Sequence, residues 1–263
     1  MIRKYCIEDI CFLKKIIKED LYQNVYLYID ASTYGFENHD VMTWILCRED
    51  RYIAIVFQYY NSLQLFEVEE PAADEIEEIC KFVEKNNIEM ISGNIPIINR
   101  IFERCEQFVM TDGVIMKAGK GAAKSDTDIE WAEISDCREI AELICADEGI
   151  GGHYSIQLLQ EQLEDRMRNW NCKNLILKKQ GKIVSHMATY ADVKDIAVLG
   201  GLVTAPEYRG YGYGKTILQG ITDALIKEGK IPVLYCYDKQ VTEWYAHIGW
   251  ERVTTCAKLE RRH

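Results

Sequence analysis

Between Leu199 and Thr216 the chain reads LGGLVTAPEYRGYGYGKT. Gly210, Gly212 and Gly214 alternate behind Arg209 and ahead of Lys215. An apolar run precedes them. Ile217, Leu218, Ile221 and Leu225 follow at helical spacing, so the loop joins a strand to a helix N-terminus. Glycines let backbone N–H groups approach an anion closely, and a helix start adds a favourable partial charge. Arg209 and Lys215 would add whole positive charges beside it. The chemistry suited to such a loop is phosphate binding. Two nucleotide patterns fail. Walker A needs a glycine five residues before Gly214, where Arg209 stands, and the dinucleotide fingerprint needs G-x-G-x-x-G where this chain has G-x-G-x-G.

A second segment follows about 30 residues on: Tyr245, Ala246, His247, Ile248, Gly249, Trp250, Glu251. Together the two segments resemble the GNAT superfamily of N-acetyltransferases. Arg209 to Gly214 fits its Q/R-x-x-G-x-G/A pyrophosphate loop, Pro206 stands where that family often has proline, and Tyr245 to Glu251 fits Y-x-x-x-G-F-E with Trp250 for Phe. Where the family commonly has Asn, seven residues before the tyrosine, this chain has Asp238.

The resemblance implies acetyl-CoA as acetyl donor and no metal. It implies that the backbone of Leu202, Val203 and Thr204 pairs with the pantetheine arm and polarises the thioester carbonyl. Gly200-Gly201 would be a bulge re-aiming those amides. The backbone of Gly210, Tyr211, Gly212, Tyr213, Gly214 and Lys215 would hold the pyrophosphate, with Arg209 beside it and Asp238 at the position of the family's Asn. Tyr245 would protonate the departing thiolate, and a phenol with an ordinary pKa of ~10 is well matched to a thiol of ~8.5. The acceptor amine must be neutral to attack, and Glu148, His153 and His186 are the candidate bases. Each also has a plain reading, His186 as a hydrogen-bonded strand residue and the other two as loop residues.

The elements that must position these residues follow from periodicity. A small, polar stretch, AGKGAAKSDTD, reads as a linker. It divides the chain into a lobe at 1–118, a linker at 119–127 and a lobe at 128–263. In the C-terminal lobe the patterns predict strands at 128–134, 174–179, 182–190, 195–204, 231–237 and 250–258. They predict helices after Asp136, at 155–168, at 211–228 and around 242–247. In the N-terminal lobe they predict helices at 7–21, 73–85 and 97–105. Strands fall at 25–29, 44–47, 53–59, 63–68, 89–92 and 109–117. The expected fold is α/β (α+β): two tandem lobes, each a mixed, mostly antiparallel sheet flanked by helices, the second a GNAT-like domain and the first a degenerate copy. Glu67 to Glu78 in the first lobe carries seven carboxylates and no glycine, which suits a helix start and would repel a pyrophosphate.

Composition sets outer limits. The formal net charge is −11, with 31 Lys and Arg against 42 Asp and Glu. This argues against general nucleic-acid binding and against docking on anionic membranes. Residues 1–118 hold 12 basic and 21 acidic residues, and residues 119–263 hold 19 and 21. The near-neutral lobe is thus the one with the phosphate loop, and the acidic lobe could guide a cationic acceptor. The longest apolar run, Ile196 to Ala205, is far short of the ~20 residues that span a bilayer, and the N-terminus does not read as a signal peptide. The 10 cysteines include no CxxC pair, so a disulfide framework or zinc site is not expected, and the chain reads as cytoplasmic. The expected partner is a small-molecule or peptide amine, with a homodimer possible. Two other readings stay open: a non-catalytic acyl-CoA-binding sensor or interaction module, and a transferase for a longer acyl group.

Overall fold

One order of strands and helices runs twice along the chain in the computed structural model, which describes residues 1–37, 41–119, 129–147, 155–169 and 172–262. The first pass is β1 (Ile2–Lys4), α1 (Ile10–Glu19), α2 (Val25–Tyr34), β2 (Val41–Arg48), β3 (Arg51–Tyr59), β4 (Ser62–Glu67), α3 (Ala73–Lys85), β5 (Met90–Gly93), α4 (Ile95–Phe102) and β6 (Phe108–Ala118). The second is β7 (Ile129–Trp131), α5 (Cys137–Cys145), α6 (Ile156–Asn169), β8 (Asn174–Lys179), β9 (Lys182–Asp192), β10 (Ile196–Thr204), α7 (Tyr213–Lys227), β11 (Ile231–Cys236), α8 (Lys239–His247) and β12 (Trp250–Arg261). Each pass is a mixed, mostly antiparallel sheet flanked by helices, as the sequence predicts.

Two elements depart from the prediction: strand β1 (Ile2–Lys4) is not among the predicted strands, and α2 stands where one was predicted. Residues 25–29 read as a strand, yet they open helix α2. Val25, Leu27 and Ile29 are buried, and the residues between them are half-buried. A helix with no exposed face near its start shows no amphipathic period, so an apolar run this short does not separate strand from helix. With α2 in place the two passes match element for element.

The described residues form two units. The first comprises Met1–Ile115, Cys236–Thr242 and Arg252–His263; the second comprises Met116–Tyr235 and Glu243–Glu251. The expected linker falls largely on residues 120–128, outside the described residues.

In the first unit the strand order is β1-β2-β3-β4-β5-β12-β6. β4 and β5 run parallel, Ser62↔Met90 through Leu65↔Gly93. The last strand of the chain pairs antiparallel with β5, from Ala257↔Gly93 to Glu260↔Met90. It brings Ala257 and Leu259 into a core with Ile76, Ile79, Ile98 and Phe108. A second core, with Leu13, Leu27, Ile45 and Phe57, lies under α1 and α2. The acids of the Glu67–Glu78 segment serve the start of α3: the Glu75 carboxylate accepts the Ala72 N–H at 2.7 Å and pairs with Arg48 at 2.6 Å.

In the second unit the order is β11-β10-β9-β8-β7. Ile140, Leu143 and Ile144 of α5 and Leu159 and Leu163 of α6 pack on Ile176, Ile183 and Val203 of the sheet. Gly220 of α7 lets that helix approach closely, because a Cβ there would stand 2.5 Å from Ile129. None of the described helices is long and apolar enough to cross a membrane.

Candidate functional site

The site begins where two parallel strands part. β10 and β11 pair over four residues, Ile196↔Ile231 through Leu199↔Leu234. Beyond them β10 continues in register with β9, by Gly200↔Ala188, Val203↔His186 and Thr204↔Ser185. Leu202, Val203 and Thr204 therefore lie past the end of the parallel ladder, where a strand edge can accept an extended ligand.

Two irregularities shape that stretch. Between Val198 and Leu199 the partner β9 carries one extra residue, Tyr190; between Gly200 and Val203 the extra residue is on β10. The displaced Tyr190 ring lies against the bulge. A Cβ on Gly200 would come within 2.4 Å of it, and one on Gly201 within 2.9 Å of its hydroxyl oxygen. Gly201 has φ +66°, a left-handed conformation that glycine adopts without steric cost. Arg166 of α6 sits over the other part of this arrangement, 5.5 Å from the Tyr190 ring centroid.

His186 holds the bulge from below. Its Nδ1 lies 3.0 Å from the Gly201 carbonyl oxygen and its Nε2 lies 2.9 Å from the Asn174 side-chain amide. A carbonyl only accepts, so Nδ1 carries the proton; the Asn174 atom facing Nε2 is Oδ1, and a neutral imidazole can accept there only with the amide turned to present its NH2. Burial lowers the ring's pKa to about 4, against the opposing hydrogen bond to Gly201. The imidazole is neutral at pH 7. To act as a base it would have to give up the bond to Asn174. Next to it, the Ser185 hydroxyl donates to the Val203 carbonyl at 2.9 Å and stands 2.9 Å from the Thr204 hydroxyl. The strand's carbonyls are thus tied toward β9.

The glycine loop follows. Gly210 and Gly212 have φ +82° and +85°, and a Cβ at either would meet nothing within 4 Å. The space that side chains would fill is open at both. Gly212 is the N-cap of α7, so the amides of Tyr213, Gly214 and Lys215 are among those an α-helix leaves without internal acceptors. Arg209 Nε donates to the Thr204 carbonyl at 3.0 Å, which ties the loop to the end of β10, and its guanidinium pairs with Asp147 at 2.7 Å. Gly214 completes the junction, since a Cβ there would touch the Thr204 hydroxyl at 3.4 Å. Tyr211 stacks on Tyr213 with ring centroids 5.9 Å apart, and Lys179 lies 5.2 Å over the Tyr213 ring. The structure therefore gathers Thr204, Arg209, Tyr213 and Gly214 at one corner. It adds Ser185, Asn174, Tyr190 and Asp147, none of which the sequence singles out. Ser185 and Asn174 become recognisable only once the register of β9 against β10 and β8 is known.

Tyr245 is buried on α8, its ring 5.0 Å from Trp244 and 5.8 Å from Trp250. Asp238 begins the same helix: its carboxylate accepts the Val241 N–H at 2.9 Å, and its carbonyl accepts from Thr242 N–H and hydroxyl. Asp and Asn serve equally well as N-caps, so the acid keeps that role where the sequence pattern has Asn. Glu148 and His153 lie outside the described residues. Among the described residues no group of three or more His, Cys, Asp or Glu could hold a metal ion.

Residues 134–250 match the acetyltransferase (GNAT) family. No curated protein matches the chain. Solved structures share the fold along the whole length at low identity. A GNAT-family acetyltransferase from Colwellia psychrerythraea superposes with TM-score 0.61 at 14% identity, covering 100% of both chains. A GCN5-related N-acetyltransferase from Sphaerobacter thermophilus gives 0.66 at 12%, over 99% of this chain and 95% of that one. A tandem GNAT protein from the clavulanic acid biosynthesis pathway gives 0.59 at 8%, over 98% and 97%.

Proposed function

We propose that the C-terminal lobe, a domain of the acetyltransferase (GNAT) family, moves an acetyl group from acetyl-CoA to a primary amine by direct transfer in a ternary complex. The observation that carries this reading is the parting of β10 from β11 after Leu199, set beside an open glycine loop at the start of α7. The residues present fit the cofactor. Gly210 and Gly212 leave room for a pyrophosphate where a Cβ would intrude, and the first-turn amides of α7 face it. When bound, acetyl-CoA supplies a thioester activated for attack by an amine.

The chain's own residues would divide the remaining work. Backbone amides of Leu202 to Thr204 orient the pantetheine arm and offer donors to the carbonyl oxygen. The bulge at Gly200-Gly201, held by His186 and Tyr190, sets their direction. Gly210 to Lys215 grip the pyrophosphate. Arg209, now on Asp147, is close enough to the loop to exchange that partner for a phosphate. Tyr245 delivers a proton to the departing sulfur. The acceptor is a small-molecule or peptide amine, and deprotonating it falls to Glu148 or to a water chain.

The test has two arms. Acetyl-CoA at about 100 times its Kd stabilises the domain by about 2.7 kcal/mol, seen as a raised Tm. No shift at millimolar concentration ends the proposal. Release of CoA across a panel of amines then identifies the acceptor, and the same panel with propionyl- and succinyl-CoA fixes the acyl group. Tyr245→Phe lowers turnover by about 10²-fold or more while leaving acetyl-CoA affinity nearly unchanged. Equal turnover removes Tyr245 from the mechanism.

A further inference from the structure

The first unit carries a thiol pair that acetyl transfer does not use. Cys80 on α3 and Cys105 in the turn after α4 line one open cavity of about 610 Å³. Cys105 is buried in the unit's main core, and Cys80 packs half-buried against the same core. Three cations share the cavity wall: Lys81, Arg104 and Arg261. Lys81 pairs with Glu77 at 2.7 Å and Arg261 with Glu84 at 3.3 Å. Arg104 donates to the Arg100 carbonyl at 3.0 Å and lies 3.8 Å from Glu103. The two thiols are near enough to bias each other's ionisation. The neighbouring Cys80 thiol lowers the pKa of Cys105, and Arg261 and Arg104 act the same way against burial and Glu84. Cys80 keeps its proton for the converse reason. A thiol with a lowered pKa that shares an open cavity with two arginines and a second thiol has the setting of a reactive cysteine.

We propose that Cys80 and Cys105 form a redox site at which a small hydroperoxide entering this cavity converts the two thiols to an intramolecular disulfide. The Cys105 thiolate attacks a peroxide oxygen. An S–O bond forms, the O–O bond breaks, and the leaving hydroxide takes a proton to become water. Sulfur of Cys80, giving up its proton, then attacks Cys105 sulfur; the S–S bond forms and the S–O bond breaks, releasing a second water from hydrogen peroxide. Two electrons pass from the thiols to the peroxide, and a dithiol reductant reverses the change.

The test treats the reduced full chain with hydrogen peroxide, blocks remaining thiols with N-ethylmaleimide and maps peptides without reduction. The expected first product is a linked pair of peptides carrying Cys80 and Cys105, lost on adding dithiothreitol. Cys80→Ser, a mild change at a half-buried position, should leave a Cys105 sulfenic acid that dimedone traps. Arg104→Gln should slow thiol loss at Cys105 severalfold while leaving the alkylation rate of exposed Cys11 unchanged. The proposal is overturned if Cys6 or Cys11 oxidises before the pair, if Cys105 goes to sulfinic acid with Cys80 still alkylatable, or if Arg104→Gln changes nothing.

Discussion

Two titratable side chains, buried His186 and half-buried Asp30, pull in opposite directions with pH. His186 is neutral in the folded chain, with a pKa lowered to about 4, whereas an unfolded histidine titrates near ~6.5. Below that value the unfolded chain binds the extra proton, so the contribution of His186 is complete above pH ~6.5 and is lost progressively as pH falls toward 4. The full span is worth about 3 kcal/mol. Unfolding of the second unit followed from pH 7 to 4.5 should show this loss, and His186→Gln should flatten it. Asp30 behaves inversely. Burial raises its pKa to about 6, against a hydrogen bond from Gln64 at 2.6 Å. A raised carboxyl favours the folded state most below pH ~4, and that contribution disappears as pH rises through 6. Asp30→Asn, which keeps a hydrogen-bonding oxygen for Gln64, should stabilise the first unit by up to about 3 kcal/mol at pH 7.5 and by little at pH ~3.5. Denaturation midpoints that move equally at both pH values would dismiss the assignment.

At the scale of elements, the site depends on two strands deviating from regular pairing within a few residues of each other. Tyr190 is the extra residue of β9, and the Gly200-Gly201 stretch holds the extra residue of β10. Gly201→Ala would put a side chain at φ +66° and 2.9 Å from the Tyr190 hydroxyl oxygen. The expected cost is about 1–2 kcal/mol from the backbone alone. Stabilisation by acetyl-CoA should shrink with it, because the amides of Leu202 to Thr204 take their direction from the bulge. An unchanged ligand-induced Tm shift would show that the bulge does not set those amides. Much of this region was legible beforehand. Periodicity located β10, α7 and the loop, and the paired glycines suggested the bulge. The contribution of Tyr190 was not legible, because an exposed aromatic one residue out of register looks like any strand tyrosine. The strand expected at residues 25–29 gives way to helix α2 for a related reason: burial without a polar face removes the periodic signal that separates the two.

At the scale of the whole molecule, the two passes of the fold do not keep their chain to themselves. Residues 252–261 belong to the first unit, where β12 stands between β5 and β6. Removing residues 252–263 takes Ala257 and Leu259 from a fully buried core and leaves the inner edges of β5 and β6 unpaired. Such a truncation should unfold the first unit, read as loss of its cooperative thermal transition. A fragment of residues 128–263 would carry an unpaired apolar strand and should aggregate unless the first unit is supplied in trans. A monomeric, cooperatively melting fragment would contradict this.

The sequence by itself determined the glycine spacing of the loop ahead of a helix start, the order of nearly all the elements and the pairing of a near-neutral lobe with an acidic one. These rest on local spacing: glycines against a helix start, apolar residues at period two or 3.6, charges counted along a segment. The tertiary structure decided what depends on residues far apart in the chain. It placed Asn174, His186 and Gly201 on one hydrogen-bonded line, put Cys80 and Cys105 on the wall of one cavity, and carried the last strand into the first unit's sheet. Register between strands and the choice of sheet are set by which faces can be buried together, and no local pattern encodes that.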